Sequence, residues 1–321
     1  MNPVKCLVLA LPFVVASCGG GSEIGSSGPF EVVTYEANDA GLATESPLEG
    51  GASVEFGDCV NRDFPQAIVS MSPTATEMLF AMGAGEQVIA VDNYSYWPPE
   101  APVVEDLAGW NPNVEAIAAF EPDLVILSDS GIQQELELIG VEVYVAAAAV
   151  VLEDVFDQML EIGEITCQRV GALAAVADMR EKIAELLNGI NLPENPLTYY
   201  HELDDTLYSV TSGTFVGHIY SLAGLVNIAD LADKDGSSWG YPQLTQEFVL
   251  EADPDIIFFA DAECCGQSVE TITSRPGWSE LKAVRNGNVI EMDNDVSSRW
   301  GPRLVDFLST VSAAVSTAKA G

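Results

Sequence analysis

The stretch EAIAAFEPDLVIL, residues 115–127, returns in altered form 132 positions later as EFVLEADPDIIFF, residues 247–259. In each copy a glutamate, Glu115 or Glu247, lies seven residues ahead of a proline, Pro122 or Pro254, and an aspartate then precedes an apolar run. A helix that must close before the proline, followed by a buried strand, is part of a strand–helix–strand unit. Written once in each half, it calls for two lobes of one α/β design, and 321 residues suffice for both because a single core divides beyond roughly 250 residues. A polar opener, Asn111 or Thr245, is expected to start each helix, with the glutamate in its first turn. Taken alone, a carboxylate there stabilises the helix dipole by about 0.3 to 1 kcal/mol.

The surrounding pattern agrees. From residue 66 short apolar runs alternate with helical stretches: AIVSM, PTATEMLFAMG, QVIAVD, NVEAIAAF, DLVIL, IQQELELIG and VEVYVA. This spacing predicts a parallel sheet covered by helices on both faces, over residues 58–150. Residues 152–165 form one amphipathic pattern, and QRVGALAAVADMREKIAELLNG predicts a second helix, a rod of roughly 33 Å within the linking segment 151–194. The alternation resumes over residues 195–321 with LTYYHEL, LYSVT, a helix from Thr214 to Leu225, QEFVLEA, DIIFFA, PGWSELKAV, NVIEMD and a last helix from Pro302.

The amino terminus belongs to neither lobe. MNPVK is followed by the apolar run CLVLALPFVVAS, the pattern of an export signal over residues 1–18. It ends V-A-S-C-G, which resembles a bacterial lipobox and makes Cys18 the expected lipid anchor. Residues 19–57, rich in Gly, Ser and acid, read as a flexible tether with one short strand at EVVTYE. The chain is thus expected outside the cytoplasm, held to the membrane in the periplasm or on the outer face. Outside Cys6 in the signal and Cys18, four cysteines remain in an oxidising compartment, and three pairings are possible. The pairing favoured here is Cys59 with Cys167 and Cys264 with Cys265.

Charge excludes one class of partner. The chain carries 49 acidic against 12 basic residues, a net −37, which opposes binding to nucleic-acid phosphates. With only His201 and His218, a His-rich metal site cannot be assembled, and the cysteines show no CxxC spacing, so no metal site is expected. No G-x-S-x-G, P-loop or HExxH occurs, and Ser212 in TSGT has no base within its motif, so an enzyme is not expected. Tyr199, Tyr200 and His201 could ligate haem iron, but alternating aromatics in LTYYHEL are what a buried strand looks like. Glu77 reads as a capping partner for a helix begun at Ser72 or Thr74, while Trp239, Trp278 and Trp300 could line a cleft or fill a core.

Five motifs, IVSMSPTATEMLFAMGAG, VDNYSYWPPEAP, NVEAIAAFEPDLVIL, YPQLTQEFVLEADPDIIFF and SSRWGPRLVDFL, resemble in order and spacing those of the substrate-binding lipoproteins of bacterial ABC importers. The class concerned joins two lobes by one long helix and serves vitamin B12, ferric siderophores, haem or certain metals. The resemblance implies the class III periplasmic-binding-protein fold, with two α/β lobes, parallel-type central sheets and a backbone helix. The cobalamin-binding members give the nearest residue-level reading. Their cleft is similar at Ser72, Pro73, Tyr94 and Trp110 in the first lobe, and at Ser212, Gly213, Tyr241, Asp295, Arg299 and Trp300 in the second. Flat apolar walls suit a corrin ring and a few polar anchors suit its amide rim. The ligand expected is therefore a corrinoid, or else a ferric siderophore or haem, with no resident cofactor. The resemblance further implies that Glu115 and Glu247 dock on arginines of a permease dimer served by cytoplasmic ATPases, and that the receptor acts as a monomer.

Overall fold

The computed structural model describes residues 63–318. The signal, Cys18, the tether with EVVTYE and Cys59 lie outside the described residues. In the first lobe β1 (Ile68–Met71), β2 (Val88–Val91), β3 (Leu124–Leu127) and β4 (Glu142–Val145) form one parallel sheet in the order β2-β1-β3-β4. The connecting helices are α1 (Pro73–Ala81), α2 (Val114–Ala118) and α3 (Gln133–Leu138). Two helices follow, α4 (Leu152–Ile165) and the 21-residue α5 (Arg169–Gly189). The second lobe repeats the plan with β5 (Thr198–Glu202), α6 (Phe215–Leu222), β6 (Val226–Asn227), α7 (Gln246–Ala252), β7 (Ile256–Phe259), α8 (Ala262–Cys265), α9 (Val269–Thr273), α10 (Lys282–Asn286) and β8 (Val289–Glu291). Its sheet has the order β6-β5-β7-β8, again all parallel. The chain closes with α11 (Asn294–Ser298) and α12 (Leu304–Thr317).

The repeated sentence occupies equivalent places. Each copy supplies the third strand of its sheet, β3 or β7, and the helix before it, α2 or α7. In each copy a residue in the left-handed region stands directly before the proline and turns the chain into it, Glu121 at φ 51° two residues past the right-handed cap of α2 and Asp253 at φ 45° as the cap of α7 itself. The aspartate after each proline then pins the neighbouring strand. Asp123 accepts from the backbone N–H groups of Gln66 and Ala67 at 2.9 and 3.1 Å, just ahead of β1. Asp255 accepts from the N–H of Thr198 at 2.9 Å, where β5 begins. One correction concerns the first helix: its cap is Asn113, whose Oδ1 accepts from Glu115 and Ala116, and not Asn111. The second helix is capped by Thr245 as expected.

The inner strands β1, β3 and β7 are buried along their whole length, because helices cover both faces of a parallel sheet. Separate cores result. Val69, Met71, Val125, Leu127 and Leu136 form one, and Tyr200, Ile257, Phe259, Val249 and Trp278 another. Helix α5 braces both lobes. Gly171 in its first turn lies so near the backbone of Met82 at the end of α1 that a Cβ would sit 1.9 Å from the carbonyl oxygen, which only glycine permits. Toward its other end the Leu186 carbonyl accepts from Ser312 of α12 at 3.4 Å.

Two expectations are overturned. LYSVT is not a strand of the sheet: its backbone bonds run to the loop 240–244, as from Ser209 N–H to Pro242 and from Thr211 N–H to Gly240, and amount to one isolated bridge between Tyr208 and Gln243. Cys264 and Cys265 are exposed free thiols and not a disulfide. They are consecutive residues of helix α8, whose backbone bonds from Cys265 to Asp261 and from Gly266 to Ala262 hold a conformation that keeps neighbouring side chains diverging. Cys167 is in a disulfide.

Candidate functional site

In a parallel sheet the loops at the carboxyl ends of the strands face the ligand crevice. Here those loops carry the exposed aromatic side chains of both lobes. After β2, Asp92 is buried and accepts from the Tyr94 N–H at 2.8 Å and from the Ser95 hydroxyl at 2.6 Å, shaping a turn that leaves Tyr94 43% exposed. Desolvation raises the Asp92 carboxyl above its usual range, partly offset by the Ser95 and Tyr94 hydrogen bonds. The Gly109 N–H donates to Asn93 Oδ1 at 3.0 Å and so tethers Trp110, 86% exposed, to the same turn. In the second lobe Thr211 N–H donates to the Gly240 carbonyl at 2.8 Å, drawing the loop of Ser212 and Gly213 beside Trp239 and Tyr241. Trp239 is 89% exposed, and Tyr241 is also exposed.

Between these aromatic loops the lobes are joined by ions. Glu77 of α1 is only 3% exposed, yet it receives two guanidiniums from the far end of the chain. Arg303 donates from Nη2 to Oε1 at 2.6 Å and from Nε to Oε2 at 3.1 Å. Arg299, 9% exposed, donates to Glu77 Oε1 at 3.2 Å, to the Tyr94 carbonyl at 3.1 Å, and pairs with Asp295 at 2.8 Å. The Tyr96 hydroxyl donates to Asp295 from the first lobe. Burial and then the Asp295 carboxylate push the Tyr96 phenol up to about 12, so it is a donor at any physiological pH. The guanidinium of Arg299 lies 5.3 Å from the Tyr96 ring and that of Arg303 4.8 Å from the Trp97 ring.

The structure brings together Tyr94, Asp295 and Arg299 among the expected residues, and places Trp110 on the turn that holds Tyr94. Other expected contacts have different employment. Ser72 is buried and caps α1, accepting from the Ala75 N–H at 3.2 Å, and Pro73 is the first residue of that helix. Ser212 gives both its N–H and its hydroxyl to the Asp230 carboxylate, each at 2.8 Å, while Gly213 beside it is exposed. Trp300 donates from its indole to Gln158 of α4 at 3.1 Å. Glu77 is not a capping partner: burial beside two arginines makes it the centre of the junction. Sequence reading passed over Tyr96, Trp97 and Arg303, although the alternation in NYSYWPP and the two arginines of SSRWGPR carried a signal.

Tyr199, Tyr200 and His201 lie in β5 and are fully buried. His201 Nδ1 lies 2.8 Å from the Tyr220 hydroxyl, and burial pushes its pKa down to about 3, so it is a neutral core side chain and not an iron ligand. Trp278 fills the second core. Among the described residues no group of three or more His, Cys, Asp or Glu side chains is placed to hold a metal ion. Glu202, at the end of β5, takes Arg275 in a two-pronged pair at 2.6 and 2.6 Å. Asp261 beside it is buried with neither carboxylate oxygen hydrogen-bonded to a donor. Burial first, then the Glu202 charge, pushes its pKa up to about 7.

A model of the periplasmic binding protein family matches residues 68–296, which takes in both sheets and the Asp295 side of the junction. The chain belongs to the periplasmic binding protein family. This periplasmic binding protein is 31% identical over 248 residues to the vitamin B12-binding protein of Pectobacterium carotovorum, covering 75% of this chain and 85% of that one. It is 27% identical over 277 residues to the ABC transporter substrate-binding lipoprotein YvrC of Bacillus subtilis, covering 82% and 85%. Among solved structures it is similar to the periplasmic vitamin B12 binding protein BtuF of Vibrio cholerae, with a TM-score of 0.64, 26% identity, and 78% and 96% of the two chains covered. Family and fold agree with two α/β lobes on a backbone helix, and the family's members are solute-binding transport proteins and not enzymes.

Two measurements probe the buried charges. Glu77→Ala leaves Arg299 and Arg303 without their shared carboxylate, and urea denaturation should show a loss of about 3 to 5 kcal/mol. Asp261 has a folded pKa of about 7 against an ordinary 3.8, so its contribution is fully present below pH 3.8 and is lost as pH rises through 7. Asp261→Asn should therefore be more stable than the parent at about pH 8, with the gain vanishing toward about pH 4.

Proposed function

We propose that this protein is the extracytoplasmic receptor of an ABC importer, and that it captures a corrinoid, a vitamin B12-like ligand, between its lobes. The observation that carries the reading is the placement of Tyr94 and Trp110 on one lobe and Trp239 and Tyr241 on the other, all exposed on loops after the strands. Such side chains offer flat faces at little entropic cost, as a large planar ring requires. Asp295, held by Tyr96 and Arg299, supplies an acceptor for the amides of the corrin rim. Charge favours a neutral amide-rimmed ligand over an anionic chelate, because Arg299 and Arg303 are already neutralised by Glu77 and Asp295. The similarity to vitamin B12-binding proteins of Pectobacterium and Vibrio supports the same ligand.

Delivery rests on the repeated glutamates. Glu115 and Glu247 are exposed in the first turns of α2 and α7, at equivalent positions of two lobes built alike. A permease of two like subunits, driven by cytoplasmic ATPases, would present one arginine site to each. Cys18 would tie the receptor to the membrane by its lipid. With α5 bracing both lobes and Arg299 bonded across them, closure on the ligand should be small.

Titration of tryptophan fluorescence with cyanocobalamin, corrected for absorption, should show saturable quenching at submicromolar concentration. Trp110→Ala and Tyr241→Ala should each weaken binding about tenfold. No response to cobalamin together with a tight one to a ferric siderophore or haemin would overturn the corrinoid assignment. A double variant, Glu115→Ala with Glu247→Ala, should keep its cobalamin affinity and lose uptake in cells. Loss of affinity in that variant would place the two glutamates in the ligand site instead.

A further inference from the structure

Both carboxylate oxygens of Asp295 have partners within the chain. Oδ1 pairs with the Arg299 guanidinium at 2.8 Å, and Oδ2 accepts the hydroxyl of Tyr96. The two partners are held very differently. Arg299 is buried and is also bound to Glu77 Oε1 at 3.2 Å and to the Tyr94 carbonyl at 3.1 Å, and Glu77 is held in turn by Arg303. Drawing Arg299 away would leave Glu77 and Asp295 short of a cation in a buried place, which is costly. Tyr96 is 47% exposed and carries no formal charge, since burial and Asp295 push its phenol up to about 12. One neutral donor can replace another on a carboxylate oxygen at little net cost. Oδ1 is therefore the fixed oxygen of Asp295 and Oδ2 the exchangeable one.

We propose that Tyr96 is a specificity-determining residue of the cleft: its hydroxyl holds Asp295 Oδ2 in the place of a ligand donor and is displaced when a ligand N–H takes that oxygen. The inference rests on the reading that the cleft binds an amide-rimmed corrinoid. One hydrogen bond is exchanged for another and no covalent bond changes. A ligand edge must then bring a donor, as a primary amide does. An edge of carboxylates would break the Tyr96 bond, return none, and face the Asp295 charge. Tyr96 thus sets a threshold that admits donor-rimmed ligands and turns away acceptor-rimmed ones. The exchange also unfastens the loop after β2 from α11, while the bonds of Arg299 to Glu77 and Tyr94 keep the junction in place.

Cyanocobalamin is the probe, titrated into the full-length protein as wild type and as Tyr96→Phe, which keeps the ring over Arg299 and removes only the hydroxyl. Tyr96→Phe should bind about tenfold more tightly than wild type, because no bond has to be given up. In an Asp295→Asn background the same substitution should bring no gain, as the contested carboxylate is gone. Unchanged binding by Tyr96→Phe would overturn the proposal, and so would weaker binding, since the hydroxyl would then itself serve the ligand. An equal gain in the Asp295→Asn background would overturn it too. A second measurement does not require the Asp295 variant to bind. With tyrosine isotopically labelled at Cζ, the Tyr96 nuclear magnetic resonance, assigned by its loss in Tyr96→Phe, should move at saturating cyanocobalamin toward its position in Asp295→Asn without cobalamin. A resonance that stays in place at saturation would rule out displacement. A wild type that does not bind cyanocobalamin at all ends the corrinoid reading and this inference with it. One that binds, with no gain in Tyr96→Phe, leaves the corrinoid reading standing and strikes the role of Tyr96 alone.

Discussion

Glu77 is the group on which the arrangement of the two lobes depends. A carboxylate 3% exposed is costly unless its charge is met, and the chain meets it from more than two hundred residues away with Arg299 and Arg303. The meeting is possible because Gly301 lies between them. A Cβ there would sit 3.1 Å from the Glu77 carboxylate, closer than side chains ordinarily come. The last two helices are thereby fastened to the first one. Arg299 then extends the junction outward, to the Tyr94 carbonyl and to Asp295, so the ion cluster that joins the lobes also holds the turn that carries Tyr94.

The second organising constraint is duplication. Both sheets have the same strand order, and the same proline–aspartate device fastens the third strand to the first in each. Duplication places Glu115 and Glu247 alike on two lobes, and rigid bracing by α5 preserves their relation. In a chain with 49 acidic residues a glutamate is not distinguished by its charge. What sets these two apart is their paired position, each in the first turn of the helix before the third strand of its lobe. Acidity also explains why cations are used sparingly: of twelve lysines and arginines, Arg299, Arg303 and Arg275 serve buried or nearly buried carboxylates.

Much of the plan was legible in local pattern. Apolar runs of four residues between helical stretches give the parallel sheets, and α5 begins and ends within a residue of the stretch read for it. Local chemistry misleads where the partner is distant. Glu77 looks like a cap because Ser72 opens its helix, and nothing within reach along the chain announces Arg299 and Arg303. LYSVT has strand composition, but its backbone bonds to the loop 240–244 and not to a strand of the sheet. Ser72 and Ser212 sit at the expected places in their loops, while their hydroxyls are taken up by Ala75 N–H and Asp230.

The amino-acid sequence by itself determined the α/β class, the two lobes, the long helix between them and the equivalence of Glu115 with Glu247, because periodicity, proline and duplication act over a few residues. Only the tertiary structure decided that Glu77 joins the lobes, that Cys264 and Cys265 stay apart as thiols, and which aromatics stand exposed beside Asp295 and Arg299. Those outcomes turn on burial and on contacts across the chain, where the energy of a charge or a thiol is set by neighbours that are far away in sequence.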